Sequence, residues 1–423
     1  MTHVQKIKAL QAKGVIVPAP DSIYVADDVD IDKISAHGVC LHPFTRIRGA
    51  KTVISAGAQI GEEAPVTIEN CCLDNDVLLK GGYFRSSLFL AGASVGSGAH
   101  VREGCILEEE ASCAHSVGLK QTILFPFVTL GSLINFCDCL MAGGTSRGNH
   151  SEVGSSYIHF NFTPHQDKAT PSLMGDVPSG VMLNNPPIFL GGQGGMVGPA
   201  KINYGKVVSA GTIYRHNPDD VMINNATKGH DSDDEIAKIF RQGVYPNFSR
   251  IVRYNIEYMA NLIALREWYK TVRVIFFQKK EYGKELSQMA DEILLLALSE
   301  RADRLLGFAK TVNIEVYKRY LGSGEKGEVK QQEEFLAHAD EIARHFREAP
   351  TMELADDNFV KKICSFAETE SYTSAIQNLD AETIAIGKVW LSAIISKATE
   401  NCFIMLPSFD SVSKSNRSQG GEE

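Results

Sequence analysis

The sequence lacks several features by which protein function is often recognised. Its 423 residues contain no long basic run and have a net charge of −9, which argues against nucleic acid or an anionic membrane as the main partner. No apolar run approaches the roughly 20 residues needed to span a bilayer, and the N-terminus resembles no signal peptide. We therefore expect a cytoplasmic protein that engages no membrane.

Signals for cysteine pairing are also missing. The nine cysteines are irregularly placed, and no Cys-x-x-Cys pair occurs. This pattern is typical of reduced thiols and supports neither a disulfide framework nor a zinc site. We expect several thiols to fill interior positions as small apolar groups.

The sequence does contain a six-residue repeat of apolar or small side chains. No helix repeats at six, and a half-buried strand repeats at two. A chain wound as a triangular prism, with one short wall and one corner per hexad, does repeat in this way. The pattern predicts a left-handed parallel β-helix whose interior receives the recurring residues. These are Leu41, Ile47, Val53, Ile54, Ile60, Val66, Cys72, Leu78, Phe84, Leu90, Val95, Val101, Leu107 and Cys113.

Glycine divides the chain into two parts. Of 36 glycines, 27 lie in residues 1–230, whereas the remainder carries apolar residues at the three- and four-residue spacing of amphipathic helices. The predicted domains are a lead-in helix (1–20), the left-handed β-helix (21–217), a linker (218–233), an all-α helical bundle (234–405) and a disordered tail (406–423).

Five motifs follow one another within residues 95–212. They are Val95–Gly104 (VGSGAHVREG), Asn135-Phe136 with Ser146–His150 (SRGNH), Asn161-Phe162 with Lys168–Thr170, Leu190-Gly191 with Met196–Pro199, and Ser209–Thr212. In this order they resemble the C-terminal acetyltransferase domain of the bifunctional N-acetylglucosamine-1-phosphate uridylyltransferase/glucosamine-1-phosphate acetyltransferases, and more loosely other hexapeptide-repeat transferases. The resemblance covers roughly half of the chain.

The resemblance implies an acyl-CoA-dependent acetyltransferase related to the enzymes of UDP-N-acetylglucosamine biosynthesis. The acceptor would be a sugar phosphate or nucleotide sugar, the co-substrate acetyl-CoA, and the assembly a homotrimer with sites between neighbouring chains. Acyl transfer needs a base for the attacking amine or hydroxyl and donors for the oxyanion, and a phosphate needs a cationic side chain. By resemblance His150 is the base, and Arg102, Asn161 and Lys168 bind the substrate. Backbone groups of four small residues would bind the cofactor: Gly191, Gly192, Ser209 and Ala210.

Other interpretations remain open. His150 is equally explained as a surface residue, and Arg102 as a solvated corner residue. Cys137-Asp138-Cys139 occupies the place of a phosphate-binding lysine of the family, and the tyrosine expected after His150 is absent. No phosphate-cradling glycine loop occurs, so the uridylyltransferase (pyrophosphorylase) module is missing. The alternative function is a non-catalytic sugar-nucleotide-binding or scaffolding β-helix protein.

One pattern in the helical half suggests a metal site. Glu334, His338, Glu341 and His345 would share a helix face, and such spacing can bind a metal ion. A bundle site also needs ligands from facing helices, so we predict no metal.

Overall fold

A computed structural model of the chain describes residues 1–161, 163–215, 242–245, 247–321, 326–348 and 355–409. After one N-terminal helix come short parallel strands, and most of the helices follow them. The predicted order of a β-solenoid and then a helical region is therefore confirmed, and the solenoid is consistent with a left-handed β-helix. The predicted linker (218–233), Phe162 and residues 410–423 of the predicted tail lie outside the described residues.

Each coil of the solenoid contributes short strands to three walls, and all strand pairs are parallel. Wall 1 consists of β1 Tyr24–Val25, β3 Arg46–Arg48, β6 Val66–Glu69, β9 Gly82–Arg85, β12 Ala99–Val101, the first parts of β15 Gly118–Leu124 and β17 Asn135–Met141, β19 Ile158–Phe160, β22 Gly195–Val197 and β25 Ile213–Tyr214. Wall 2 consists of β4 Val53–Ile54, β7 Cys72–Leu73, β10 Leu88–Phe89, β13 Ile106–Leu107, the second parts of β15 and β17, β20 Ser172–Met174 and β23 Lys201–Ile202. Wall 3 consists of β2 Cys40–Leu41, β5 Gln59–Ile60, β8 Leu78–Leu79, β11 Ser94–Val95, β14 Ser112–Cys113, β16 Thr129–Leu130, β18 Glu152–Val153, β21 Phe189–Leu190 and β24 Val207–Val208.

Three rows of turns connect these walls. Corner 1 leads from wall 1 to wall 2, corner 2 from wall 2 to wall 3, and corner 3 from wall 3 to the next coil of wall 1. β15 and β17 bend across corner 1, where Gln121 and Asp138 adopt left-handed backbone angles (φ 48° and 61°). A single left-handed residue turns a strand sharply enough to start the next wall.

The interior of the solenoid is a continuous apolar column. Most of the predicted interior residues line it, including Leu41, Ile60 and Val101. Four members of the predicted series do not: Val53, Cys72 and Leu90 pack toward the helices, and Leu78 is the outward partner of the buried Leu79. These assignments were wrong because some coil steps differ from six residues, so a strict period shifts onto the outer face.

The N-terminal helix α1 (His3–Lys13) closes the first end of the column. Ile7 and Leu10 join the interior cluster. The buried ammonium of Lys6 donates to the carbonyl oxygens of Ala26, Asp27 and Val29 at 2.9, 2.8 and 2.6 Å. The helix thereby covers backbone that would otherwise form an open sheet edge.

Of the remaining described helices, one short helix (α2) lies within the solenoid and the others come after it in the chain. They are α2 Val177–Gly180 within corner 2, α3 Phe248–Trp268, a π-helical turn Tyr269–Arg273, α4 Val274–Phe277, α5 Gly283–Thr311, α6 Ile314–Leu321, α7 Lys326–Arg347, α8 Asp357–Ala367, α9 Tyr372–Gln377, α10 Ala381–Phe403 and a 3-10 turn Pro407–Phe409. Leu406 and Phe409, which the sequence analysis assigns to the tail, are buried, so the packed chain continues beyond residue 405. No helix among the described residues has the length and apolarity needed to cross a membrane.

The helical region covers wall 2 of the solenoid. Outward side chains of this wall, among them Leu88, Ile106 and Leu140, belong to the same buried cluster as the apolar residues of α3 and α5. α5 packs on β7 and β10, and α3 packs on β20. Wall 2 is therefore apolar on both faces, whereas walls 1 and 3 present outward side chains to solvent.

Candidate functional site

The predicted site residues are distributed over all three corners of the solenoid. His150 belongs to corner 2, in the loop between β17 and β18. Arg102, Asn161 and Lys168 belong to corner 1. The four predicted cofactor-binding residues belong to corner 3 of the last coils: Gly191, Gly192, Ser209 and Ala210. One chain therefore does not gather them in a single pocket.

The imidazole of His150 has a defined orientation. Its Nδ1 lies 2.8 Å from the carbonyl oxygen of Arg147, and because a carbonyl oxygen only accepts, Nδ1 must carry the hydrogen. Nε2 then keeps its lone pair, and it lies 3.6 Å from Oε2 of Glu152 with the side chain 22% exposed. This is the tautomer that a general base requires.

The His150 loop packs along corner 2 and against the edge of wall 3. Arg147 donates through Nη2 to Oγ1 of Thr129 at 2.9 Å, and through Nη1 to the carbonyl oxygens of Glu110 and Phe127 at 3.0 and 2.9 Å. The amide of Gln377, at the end of α9, donates to the carbonyl oxygen of Thr145. The loop is thus held by the solenoid on one side and by the helical region on the other.

A trough of about 410 Å³ opens on wall 1 beside Arg102, a volume suited to a small ligand. The Arg102 side chain is exposed, and its Nη2 donates to the weak acceptor Sγ of Cys137 at 3.7 Å. Its guanidinium therefore keeps most of its donors available for an anion. The lining residues are His100, Arg102, Ser116, Gly118, Leu133, Ile134 and Asn135.

Aromatic and thiol groups border the trough. The rings of Tyr83 and His100 meet edge to face at 5.3 Å. Burial, and then the Glu69 carboxylate that accepts its hydroxyl, raise the pKa of Tyr83. Burial and the neighbouring Asp138 raise the pKa of the Cys137 thiol, against the opposing charge of Arg102. Cys137 is therefore a neutral thiol and a poor nucleophile.

Asp138 faces the helices. Its Oδ1 pairs with Nη2 of Arg301 at 2.9 Å, and both side chains are buried. Burial raises the pKa of Asp138, while Arg301 opposes the change. This part of corner 1 therefore anchors α5. The sequence feature that could have indicated this contact is a single charged residue, Asp138, between Cys137 and Cys139, which are both buried.

Asn161 and Lys168 begin and end one loop of corner 1. The carbonyl oxygen of Asn161 accepts from Oγ1 of Thr170 at 3.4 Å. Lys168 has a left-handed backbone (φ 55°) and an exposed side chain, and its carbonyl oxygen accepts from Nη1 of Arg301 at 3.4 Å. The buried Asp167 accepts from the amide of Ala169 at 2.9 Å. Both predicted ligand residues therefore lie in corner 1, three coils beyond Arg102.

Close stacking of coils accounts for the corner 3 glycines. A Cβ on Gly191 would lie 2.2 Å from the amide nitrogen of Ala210, and one on Gly154 would lie 2.3 Å from that of Gly192. Ser209 and Ala210 are exposed at the last coil. Small residues are thus needed here by the fold itself, and their binding of a cofactor stays a prediction.

The helix face of α7 whose Glu and His spacing could suit a metal ion packs within the helical region. Glu334 accepts from the amide and hydroxyl of Ser408 at 2.8 and 2.6 Å. Nδ1 of His338 lies 3.6 Å from Glu341, and burial lowers the pKa of His345. Within the described ranges, no group of three or more His, Cys, Asp or Glu side chains is arranged to hold a metal ion.

Comparison with known proteins finds no matching family model but several related curated proteins. The chain is 25% identical over 212 residues to the bifunctional protein GlmU of Thermotoga petrophila (50% of this chain, 42% of the relative). It is 27% identical over 222 residues to that of Koribacter versatilis (52% and 42%), and 30% identical over 137 residues to that of Thermus thermophilus (32% and 29%). The chain thus spans less than half the length of these relatives. With the solenoid, the similarity supports the relation to hexapeptide-repeat transferases and to UDP-N-acetylglucosamine biosynthesis enzymes.

Proposed function

We propose that this chain is an acyl-CoA-dependent acetyltransferase whose acceptor is a sugar phosphate or nucleotide sugar and whose base is His150. The observation that supports it best is the hydrogen bond from Nδ1 of His150 to Arg147, because it leaves Nε2 free to take a proton at a partly exposed position. The similarity to the GlmU proteins supports the same chemistry.

The reaction would proceed by direct transfer. The acceptor amine or hydroxyl attacks the thioester carbonyl of acetyl-CoA while its proton passes to Nε2 of His150. The bond between carbon and sulfur then breaks, and the imidazolium returns the proton to the departing thiolate. Glu152, with its carboxylate 3.6 Å from Nε2, would stabilise the imidazolium between these steps. Backbone N–H groups beside Gly191, Gly192, Ser209 and Ala210 would hold the thioester end.

Arg102 would bind the phosphate of the acceptor in the wall 1 trough. Asn161 and Lys168 lie three coils further along corner 1, and at about 4.8 Å per coil this separation is about 14 Å. A nucleotide sugar is long enough to reach from Arg102 toward these residues, whereas a sugar phosphate would occupy the trough alone.

A homotrimer would bring the separated parts together. The helical region covers wall 2, so among the described residues walls 1 and 3 and the corner between them are the surfaces open to another copy. Three prisms with corner 3 toward a common axis leave three clefts, each between wall 1 of one chain and wall 3 of the next. Such a cleft would place the Arg102 trough opposite the His150 loop of the neighbouring chain. All nine cysteines are free, which fits a cytoplasmic location.

The test is thiol release from acetyl-CoA by the full-length protein, with glucosamine 1-phosphate and UDP-glucosamine as acceptors. Acceptor-dependent release by the wild type and its loss in His150→Ala would support the proposal. Thiol release without an acceptor, or no thiol release with either acceptor, would contradict the proposal.

A second function is favoured by the separation of Arg102 and His150 on different corners of one chain. A single copy then has a binding trough without a base, as a non-catalytic sugar-nucleotide-binding or scaffolding protein would. Thermal stabilisation by UDP-N-acetylglucosamine but not by acetyl-CoA would favour this function over acetyl transfer.

A further inference from the structure

One column of outward side chains runs the length of wall 1. Successive strands align these residues in register, so each is the lateral neighbour of the next. Two of the ten positions are glycine. The column is Tyr24, Arg46, Thr67, Tyr83, His100, Gly118, Asn135, Ile158, Gly195 and Ile213.

The fold explains the second glycine. A Cβ on Gly195 would lie 2.4 Å from Cε2 of Phe160 and 2.9 Å from the carbonyl oxygen of Ile158. The ring of Phe160 therefore lies over Gly195 and fills the space that a side chain there would take. This shows that the gap left by one glycine in the column accepts a six-membered ring.

The fold does not explain the first glycine. The nearest atom to a Cβ on Gly118 would be Oδ1 of Asn135 at 3.7 Å, an ordinary contact distance. Gly118 is not among the residues with positive φ, so its backbone suits any residue. Glycine weakens a strand, and one that the backbone does not need often marks the close approach of a ligand.

The gap over Gly118 is part of the trough beside Arg102. His100 and Asn135 flank it on adjacent strands, whose backbones are about 9.6 Å apart. Leu133 offers an apolar side, and Ser116 a hydroxyl. Arg102 lies two residues beyond His100, about 7 Å along the strand. A ring over Gly118 would thus have polar partners at its edges and a cation within reach of a substituent.

We propose that Gly118 is a specificity-determining residue, and that the gap above it binds a six-membered ring that is linked, directly or through a ribose, to a phosphate group. Arg102 binds the phosphate, and His100 and Asn135 bind the ring substituents. A hexose phosphate and a pyrimidine nucleotide share this chemistry. The inference rests on the proposed function in that the ligand is the acceptor or a part of it.

The experiment is isothermal titration calorimetry of the full-length protein with glucosamine 1-phosphate and, separately, with uridine 5′-monophosphate. Gly118→Val fills the gap with a side chain that strands favour, and we expect it to weaken binding about tenfold or more. Thr67→Val, which changes the same column two strands before His100, is the matched control and keeps the wild-type affinity. If Gly118→Val does not fold, Gly118→Ala takes its place with a smaller expected loss.

The two titrations identify the source of the ring. Binding of glucosamine 1-phosphate alone assigns the gap to the sugar, and binding of uridine 5′-monophosphate alone assigns it to the base. No binding of either to the wild type, or equal affinity of the wild type and the Gly118 variant, overturns the proposal. His150→Ala separates this inference from the proposed function, because it should bind the ligand normally without turnover. If only the Gly118 variant loses binding and His150→Ala keeps its turnover, the ring site is supported and the role of His150 as base is rejected.

Discussion

Nη2 of Arg273 lies 2.6 Å from Oε2 of Glu108, where the π-helical turn of the helical region meets corner 2 of the solenoid. Nη1 of the same guanidinium lies 2.6 Å from Glu109, and its plane covers the ring of Tyr372 at 3.4 Å. The hydroxyl of Tyr269 donates to Glu108 at 2.6 Å. Burial raises the pKa of Glu108, and the nearby Arg273 opposes the change. We take the pair as ionised, because the guanidinium of Arg273 lies against this carboxylate and Tyr269 donates to it.

Removing this buried cation should destabilise the protein strongly. Arg273→Met leaves two carboxylates without their partner, and we expect the free energy of unfolding to fall by about 3–5 kcal/mol in denaturant titrations. Lys51→Met is the control, since the pair of Lys51 with Glu292 is exposed and should contribute about 1 kcal/mol or less. Equal effects of the two variants would show that the buried pair does not fasten the helices.

The stability of the protein should fall in acid because of His159. This imidazole is enclosed in the solenoid, its Nε2 lies 2.8 Å from Oγ of Ser172, and burial lowers its pKa from 6.5 to about 4. Between these values the unfolded chain binds the proton and the folded chain does not, so the free energy of unfolding decreases as pH falls. The expected slope is about 1.4 kcal/mol per pH unit at most.

His159→Gln should remove this part of the pH dependence, because Gln keeps a polar group near Ser172 without titrating. Urea unfolding at several pH values from 7 to 4 measures it. Thr67→Val, which changes no titratable group, should keep the wild-type slope. A His159→Gln slope equal to that of the wild type would contradict the assignment.

The two glycines of the wall 1 column should differ in their tolerance of a methyl group. Gly195→Ala forces Phe160 aside and should lower the free energy of unfolding by about 1–3 kcal/mol. Gly118→Ala meets no atom of the described residues closer than 3.7 Å and should be neutral or stabilising by about 0.5–1 kcal/mol. Thermal unfolding of both variants provides the measurement. A Gly118→Ala protein as unstable as Gly195→Ala would mean that the strand needs both glycines.

Within the proposed acetyl transfer, His150 and Arg102 should affect different kinetic parameters. His150→Ala should lower kcat by about 10²–10⁴, whereas Arg102→Ala should mainly raise KM for the acceptor. Steady-state thiol release from acetyl-CoA measures both. His37→Ala, at an exposed histidine of an early coil, is the control and should match the wild type. An unchanged kcat in His150→Ala would end its assignment as base.

If the site lies between chains, two variants whose turnover is impaired at low acceptor concentration should complement each other there. A coexpressed mixture of His150→Ala and Arg102→Ala chains should recover activity, because about a quarter of the sites in random trimers join an intact His150 to an intact Arg102. Each variant expressed alone provides the baseline. A mixture no more active than the mean of the separate variants, or a monomer by light scattering, would contradict the trimer.

The repeat of six residues predicts the solenoid because each coil must return one side chain per wall to the same narrow interior. It does not predict which residue of a pair faces inward once coil steps vary, and the assignments of Val53, Cys72, Leu78 and Leu90 failed for this reason. The sequence does contain a feature that distinguishes wall 2 from the other walls. In wall 2 both residues of a strand are apolar, as in Ile106-Leu107, which is typical of a strand buried on both faces.

The geometry of the candidate site could be predicted from the sequence only in part. The motif order correctly places His150 in a loop between strands. The corner on which each residue lies depends on strand bounds that vary from coil to coil, so the separation of Arg102 from His150 could not be predicted. The pairs of Arg273 with Glu108 and of Arg301 with Asp138 join positions more than 160 residues apart. No local pattern encodes such contacts.

The apolar outer surface of wall 2 has a consequence for the integrity of the molecule. A solenoid that ended at residue 217 would expose a strip containing Leu88, Ile106, Ile123 and Leu140 to water, and a strip of this kind favours aggregation. The β-rich and α-rich parts are therefore interdependent, and they should melt in one transition instead of two. Shortening the chain to its repeats would yield an insoluble fragment, however regular its hexads are.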